Sequence, residues 1–534
     1  MPRRVVDYRS APKRKAEPQR QPPSRAIAML LGGSFVIPLG ILLVLMGANV
    51  RLGQGYFAYR YSPVRAIRTQ RAAPVILIGA AAAGAVVLLG RRERKYRVAG
   101  VAALAAALGG AGVWSWFGPP AYANQQMFNM TSPSSDGAFV METREIKSLP
   151  QYLRDFPERL KLTPAQMGGT RVLSNPPLTT VVAYLLRGDA YETTDRPSSE
   201  MERWLQSEHG VAPEQAREIA YSLRVSIVLC ALWTLSGVAA YLLGRVFLSP
   251  AGAAVFAVIV TFNPCTLHFV PGKDPGQLLS INLMLWAWFL AWRRRSPLLG
   301  ALGGAILTLG ATAGLIHIWV ALIAVIATAW EAWRTRAGIA GMTMILVNAF
   351  AAGAGALAVI SAAYFVLDWN IPRTLLAVSN RWGEIQRTFV MNRTIWFAIG
   401  LPIFLLFLAP GFWTLAGLSV RRRRGRRRRI NLQRLNFGAR LALCTVAVML
   451  FIYVVMGVTY ELPRLWVAFL PPLALGLAMD QPLLRGGWRE GGHRRVGLAL
   501  ALIVIAHVAF AAMHWTLFDA REAEYRLSSQ RYYQ

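Results

Sequence analysis

Cysteine is nearly absent from this chain, and acidic residues are scarce. Its 534 residues include three cysteines and 26 Asp and Glu, against 58 Lys and Arg. Cys230, Cys265 and Cys444 are far apart, which gives neither a disulfide framework nor a metal spacing, so we interpret them as packing residues. The chain also lacks a glycine-rich phosphate loop, a zinc spacing and a Ser/His/Asp arrangement. These absences leave the soluble enzyme classes with such motifs unsupported.

Long apolar runs are what the chain has in abundance. Hydrophobic residues make up 55% of it and the mean hydropathy is +0.38. The runs repeatedly reach the length needed to cross hydrocarbon, which predicts a polytopic membrane protein. The first run follows a basic tail and has no small-residue cleavage signal, so we expect a retained span and not a signal peptide.

The net charge of +32 is concentrated between the apolar runs. Placing the basic clusters on one side of the membrane satisfies the positive-inside rule and lets them attract anionic lipid headgroups, so a nucleic-acid partner is not favoured. These clusters occupy residues 91–95, 293–295, 334–336, 421–434 and 485–495. We therefore expect a multi-pass protein of the inner (plasma) membrane with a cytoplasmic amino terminus.

The predicted fold class is an all-α polytopic membrane protein with about thirteen transmembrane helices and a large external loop containing interfacial helices. The one disagreement is residues 50–72, which are basic yet fall outside. A tight turn near Thr312 to Gly314 must divide the apolar stretch 298–333. The predicted spans are 26–49, 73–90, 98–117, 219–243, 251–267, 277–292, 298–313, 316–333, 340–366, 395–418, 438–458, 463–479 and 496–513.

Four regions follow from this pattern. Residues 1–25 form a basic cytoplasmic tail that we expect to be disordered, and 26–97 form an amino-terminal transmembrane hairpin. Residues 98–366 form a transmembrane module with the external loop 118–218, and residues 367–534 form a carboxy-terminal transmembrane module. The external loop is the only long extramembrane region, so chemistry outside the bilayer is expected there.

Two junctions in the external loop stand out. Asp136 precedes a helix-compatible run, Gly137 to Leu149, with an apolar stripe and a charged face, which predicts a helix lying on the membrane surface. Asp136 would sit at its amino-terminal end, where a plain helix cap is the alternative interpretation. Asn175-Pro176-Pro177-Leu178 begins a second short apolar run, and its two prolines alone explain a loop-to-helix junction.

Three shorter external loops collect carboxylates and isolated basic residues, whereas the internal loops hold arginine blocks. They span residues 263–275, 368–393 and 459–464. The first contains Asn263-Pro264 and Lys273-Asp274-Pro275, and the last contains Glu461-Leu462-Pro463-Arg464. The asymmetry predicts a site at the outer membrane surface.

The order of these motifs resembles the GT-C integral-membrane glycosyltransferases, which include protein O-mannosyltransferases and lipid A aminoarabinose transferases. A span ending outside, an acidic residue, an interfacial helix, a Pro-Pro junction and a return span look like the first external loop of that superfamily. Residues 262–275 and 461–471 extend the similarity, so that it covers roughly residues 98–480. Asp136 lacks the adjacent second acid of protein O-mannosyltransferases, and Glu142, Glu145 and Asp155 compete with it for the acidic role.

The resemblance implies transfer of a sugar from a polyprenyl-phosphate carrier to a glycan, lipid or protein acceptor on the extracytoplasmic face. A carboxylate at the membrane surface would act as general base, with Asp136 as first choice. Asp274 would orient the acceptor or hold a divalent cation; no cofactor is otherwise implied. Basic groups would stabilise the phosphate leaving group. The expected substrate-binding residues are Lys273, Arg464, Glu461, Arg387, Arg393 and Asn175.

Each of these roles has an alternative in which the residue serves only the structure. Arg464 could be a snorkelling residue at a helix end, and Lys273 and Asp274 a solvated turn. At the level of function, the alternatives are a transporter or flippase of lipid-linked glycans, an O-antigen ligase or polymerase, and a non-catalytic membrane scaffold. A transporter is expected to contain broken helices and an internal repeat, and the sequence has no convincing repeat.

Overall fold

The computed structural model of the protein describes residues 24–48, 72–91, 93–117, 136–163, 170–188, 199–210, 212–334, 338–388, 393–424, 435–459, 462–486 and 493–517. These residues form helices joined by turns and loops, with no strand among them. Two 3-10 helices, Glu142–Glu145 and Trp466–Phe469, accompany the α-helices.

The α-helices are numbered in chain order. The first twelve are α1 Ser24–Gly47, α2 Ala72–Leu89, α3 Arg94–Phe117, α4 Gly137–Met141, α5 Leu149–Arg159, α6 Thr170–Leu173, α7 Leu178–Leu185, α8 Glu200–His209, α9 Pro213–Arg245, α10 Pro250–Thr261, α11 Pro264–Leu267 and α12 Lys273–Gly276. They are followed by α13 Leu278–Arg294, α14 Pro297–Ala311, α15 Ile316–Arg334, α16 Gly338–Leu367, α17 Ile371–Thr388, α18 Arg393–Phe407, α19 Pro410–Arg424, α20 Phe437–Val454, α21 Leu462–Leu465, α22 Leu470–Asp480, α23 Pro482–Arg485 and α24 His493–Leu517.

The long apolar helices make the chain a multi-pass helical membrane protein. Among the described residues, eight helices are long and apolar enough to cross a bilayer, and α18 with α19 adds a ninth if this bent pair is one span. Each of the thirteen predicted spans coincides with a helix or helix pair, and α14 ends at Ala311 close to the predicted turn. Three of these helices, Pro74–Leu89, Pro250–Thr261 and Pro297–Ala311, are short for a span, so the count of thirteen stays a prediction.

Contacts between helix ends define two ends of the bundle. At one end, Asn436 before α20 donates to the Asp480 carboxylate at the end of α22 (2.6 Å), and Ser249 before α10 donates to the Leu484 carbonyl (2.9 Å). Helices α13 and α15 finish at the same end with Arg294 and Arg334. We call this the basic end, and the opposite end, where α13 and α15 begin, the cap end.

Glycine brings α14 and α16 into backbone contact. A Cβ at Gly304 would overlap the Ala352 carbonyl, and one at Gly355 would overlap the Ala301 carbonyl. Small residues of this kind let helices approach closely in lipid, where packing and not water exclusion drives association.

The cap, which we define as residues 136–163 and 170–188 together with α17, packs over its end of the bundle. Its apolar core includes Phe139 and Phe156 and extends to Trp369. The predicted helix from Gly137 to Leu149 is wrong in detail, because it divides into α4 and a 3-10 helix, and α5 begins at Leu149. Its buried side folds into the cap core.

Glu142 lies on the predicted charged face, which we expected to be exposed to water. In the structure it is buried, and Nε and Nη2 of Arg159 donate to one of its carboxylate oxygens at 3.0 and 2.7 Å. Burial raises the Glu142 pKa, and Arg159 opposes that shift only in part. The ion pair of Glu142 and Arg159 therefore links the 3-10 helix to α5 inside the cap.

Candidate functional site

The segment between α10 and α13 is folded tightly against the cap. Asn263 caps α11 through its side-chain oxygen, which accepts from the backbone amide of Cys265 at 2.9 Å. The backbone amide of Asn263 donates to Thr266 Oγ1. Gly272 follows, and a Cβ there would overlap the Phe269 carbonyl and reach 3.0 Å from Asp136 Oδ2. Only glycine allows this approach, which brings Asp136 to the start of α12.

Asp136 is bound from two sides. The Lys273 amide donates to its Oδ2 at 2.5 Å, and Arg171 Nε donates to its Oδ1 at 3.1 Å, with Arg171 Nη2 contacting the same oxygen. The Asp136 side chain makes no capping bond to α4. The plain-cap interpretation is therefore wrong for this residue: its carboxylate faces α6 and α12.

Asp274 is the shared partner of three cations. Its Oδ1 lies 2.9 Å from Lys273 Nζ, and its Oδ2 lies 3.4 Å from Arg171 Nη2 and 3.3 Å from Arg464 Nε. Lys273 and Asp274 are buried, with 5% and 9% of their surface exposed, so the solvated-turn interpretation is wrong. Arg464 is not a simple snorkelling residue either, because its guanidinium points at a buried carboxylate.

We call Asp136, Arg171, Lys273, Asp274 and Arg464 the charge cluster. Burial by itself would raise the pKa of Asp274, but Lys273, Arg171 and Arg464 outweigh it and hold that pKa well below its usual range. Burial lowers the pKa of Lys273, and Asp274 offsets part of that shift. With all five groups ionised, three cations face two carboxylates, so the cluster carries one excess positive charge.

Arg171 was missed by sequence reasoning. It lies on α6, only four residues before Asn175, in the stretch that precedes the Pro-Pro junction. An isolated arginine in an external loop was the signal that could have found it. Asn175 donates from Nδ2 to the Arg171 carbonyl at 2.7 Å, so its contact with the charge cluster runs through the Arg171 backbone.

Four of the eight residues proposed from the sequence therefore lie together: Asp136, Lys273, Asp274 and Arg464. Glu461 and the side chains of Arg387 and Arg393 fall outside the described residues, so their predicted roles stay predictions. The competing acids lie elsewhere. Glu142 is bound to Arg159, Glu145 is exposed, and Asp155 pairs with Arg154 at 3.3 Å on the surface.

A polar layer lies beneath the cluster, where α13 and α15 begin. Gln277 Nε2 donates to Asp274 Oδ1 at 3.4 Å, and Ser280 Oγ donates to the Gln277 carbonyl at 2.9 Å. His317 joins Ser280 (2.7 Å) to the Gly314 carbonyl (2.8 Å). Gln277 thus connects Asp274 to the ends of two apolar helices.

His268 belongs to a different group. Its Nε2 lies 2.7 Å from Nδ1 of His514, and both rings contact Phe407. Within the described ranges, no group of three or more His, Cys, Asp and Glu side chains is arranged to hold a metal ion. The excess positive charge of the cluster itself favours an anion over the divalent cation considered from the sequence.

The chain was compared with models of known protein families, with curated proteins and with solved structures, and none of these matched. The fold and the site themselves define a multi-pass helical membrane protein with a buried charge cluster where its apolar helices meet the cap.

Proposed function

We propose that the protein is a membrane glycosyltransferase of the GT-C type that moves a sugar from a polyprenyl-phosphate carrier to an acceptor on the extracytoplasmic face. The observation that carries this proposal is the charge cluster, in which two buried carboxylates share three cations at the ends of apolar helices. Carboxylates supply a base, and the cations supply a site for a phosphate leaving group.

The sidedness of the proposal rests on charge. Arg293, Arg294 and Arg334 finish their helices at the basic end, and acidic residues of the cluster lie at the cap end. By the positive-inside rule, the basic end faces the cytoplasm of an inner (plasma) membrane and the cap faces outward. The proposed donor is carried on a lipid, so it would approach the cluster from the bilayer.

In the proposed reaction the acceptor hydroxyl or amine attacks the anomeric carbon of the donor sugar. The new carbon–oxygen or carbon–nitrogen bond forms as the bond between that carbon and the phosphate oxygen breaks. The phosphate leaves with the electron pair, and the acceptor proton passes to Asp136. Arg171, Lys273 and Arg464 stabilise the charge that develops on the phosphate.

The test is transfer of label from a radiolabelled polyprenyl-phosphate hexose in membranes that contain the protein and a panel of acceptors. Asp136→Asn is expected to abolish transfer, and its folding is checked by tryptophan fluorescence, because Asn offers one acceptor oxygen where the carboxylate offers one to Arg171 and one to the Lys273 amide. The matched control is Asp155→Asn, which neutralises an exposed carboxylate in the same cap and should retain full transfer. Full activity in Asp136→Asn would remove Asp136 from the mechanism.

One observation favours the transporter alternative. Helices α18 and α19 meet at a break with a bend of 96°, and such interrupted spans are common in transporters. His507 Nδ1 accepts from the Gly411 amide at 3.2 Å at the start of α19, which satisfies a backbone group freed by the break. Proteoliposomes that move a lipid-linked sugar between leaflets without transferring it to an acceptor would favour a flippase.

A further inference from the structure

Both carboxylate oxygens of Asp136 are in contact with donors. Its Oδ1 accepts from Nε and Nη2 of Arg171, and its Oδ2 accepts from the Lys273 amide. Oδ2 is packed against the Gly272 and Lys273 backbone, so the acceptor's proton has to reach Oδ1, which Arg171 covers.

Asp274 does not depend on Arg171 alone. Arg171 Nη2 lies 3.4 Å from Asp274 Oδ2, whereas Lys273 Nζ lies 2.9 Å from Oδ1 and Arg464 Nε lies 3.3 Å from Oδ2. If Arg171 turns to another anion, Asp274 keeps two cations. Asp136 loses the guanidinium and keeps only the Lys273 amide.

The net charge of the cluster indicates which anion Arg171 can bind in place of Asp136. A phosphodiester carries one negative charge, which cancels the excess positive charge of the cluster. After transfer, Asp136 is protonated and neutral, and the released phosphate monoester carries about two negative charges. Three cations then face Asp274 and the monoester, so the site is neutral before and after the reaction.

The buried ion pairs at the basic end differ from the charge cluster in what else their arginine binds. Glu331 binds Arg334 and Arg440 at 2.9 and 2.5 Å, but Arg440 also donates to the backbone carbonyls of Leu435 and Trp330. Its donors are committed to the fold. The side chain of Arg171 instead binds two carboxylates and lies over the Phe139 ring.

We propose that Arg171 is a positioning residue that exchanges Asp136 for the donor phosphate, so that the general base is freed only when an anionic phosphate headgroup occupies the cluster. This inference rests on the proposed function. It makes binding ordered, with the phosphate-bearing donor before the acceptor, and it keeps the base inactive toward water when the site is empty.

Infrared difference spectroscopy of the full chain in lipid nanodiscs tests the exchange directly. The carboxylate stretching band of Asp136 is assigned by its loss in Asp136→Asn. Adding a polyprenyl phosphate should shift that band as the guanidinium leaves, and adding the neutral polyprenol should not. Inorganic phosphate is a separate arm: a shift with it supports the exchange and shows that the headgroup alone suffices, whereas a shift only with the lipid assigns the site to a membrane-borne phosphate.

Variants separate the exchange from a structural role. Arg171→Gln should show the shifted band without any phosphate and no further change when it is added. Arg171→Lys keeps the charge but cannot span both carboxylates, so its band should differ from that of the wild-type protein even if the Gln variant fails to fold. Arg154→Gln, at an exposed cap arginine, is the control and should behave as the wild type.

Binding of radiolabelled polyprenyl phosphate is measured in the same samples. Lipid that binds without shifting the Asp136 band overturns the exchange and leaves the proposed glycosyltransferase standing. A wild-type band and shift in Arg171→Lys also overturns it. Failure of the wild-type protein to bind the phosphate lipid overturns the exchange and the proposed function together.

Discussion

Arg171 holds Asp136 from a position 35 residues further along the chain, with its Nε 3.1 Å from the carboxylate Oδ1 in a buried contact. The two residues come from opposite ends of the described cap segment around α4 to α6, and the cap core between them fixes their separation. The same guanidinium also contacts Asp274, which lies on α12, so Arg171 connects the two carboxylates of the charge cluster.

Neutralising Asp274 should destabilise the protein. Asp274→Asn leaves Asp136 as the one remaining carboxylate of the cluster beside three cations, and breaking a buried ion pair costs about 3–5 kcal/mol. The measurement is unfolding of the detergent-solubilised protein followed by tryptophan fluorescence. Asp155→Asn, at a half-exposed surface pair, should change stability by about 0.5 kcal/mol or less. A loss in Asp274→Asn no larger than in this control would contradict the buried pairing.

Adding a methyl group at Gly272 should displace the base. Gly272→Ala places a Cβ against the Phe269 carbonyl and Asp136 Oδ2, so transferase activity should fall steeply. Gly276→Ala, at the end of the short helix that Gly272 precedes, is the matched control, because its Cβ would meet its nearest neighbour at 3.6 Å, an ordinary contact. Equal activity in the two variants would show that the close approach at Gly272 is dispensable.

Acid should weaken the charge cluster in a defined direction. The pKa of folded Asp274 lies below its unfolded value, which is about 3.9. Its contribution to stability is therefore complete above about pH 4 and is lost as pH falls through the lower folded pKa. The midpoint temperature of thermal unfolding of the wild type should fall as the pH is lowered through this acid range, and that of Asp274→Asn should fall less. If the midpoint temperatures of both proteins fall equally with pH, another carboxyl governs the acid transition.

The contact between α14 and α16 should tolerate no large side chain. Gly304→Leu would force the helices apart at the Ala352 carbonyl, and overpacking of this kind costs about 1–3 kcal/mol. Gly353→Leu, on an exposed face of α16 with nothing within 4 Å of its Cβ, is the control. Midpoints of unfolding in detergent compare the two, and a control as destabilised as Gly304→Leu would point to helix propensity instead of packing.

Asn175 should affect the site through Arg171 alone. Asn175→Ala removes the 2.7 Å bond to the Arg171 carbonyl and should weaken binding of a polyprenyl phosphate several-fold without changing the protein's overall fold. Ser174→Ala, which removes a longer bond of 3.3 Å to the same carbonyl, should have the smaller effect. The two binding curves are compared at equal protein and lipid concentration; the reverse order would contradict this positioning role.

The sequence alone determined the class of protein and the places of its long apolar helices. Apolar runs long enough to span hydrocarbon can satisfy their backbone only as helices, so the pattern translates directly into structure, including the turn close to Thr312. It also singled out Asp136, Lys273, Asp274 and Arg464, because charged residues at the ends of such runs are costly and therefore informative.

Only the tertiary structure decided which charges meet. The contact of Arg171 with Asp274 joins residues 103 positions apart, and Glu142 is buried because the cap folds over it, neither of which leaves a local periodicity to read. Helix patterns depend on neighbours three or four residues away, whereas ion pairs depend on where distant segments are brought by packing. For that reason the carboxylates of the site could be predicted from the sequence, whereas the arginine that contacts both of them is identified only by the fold.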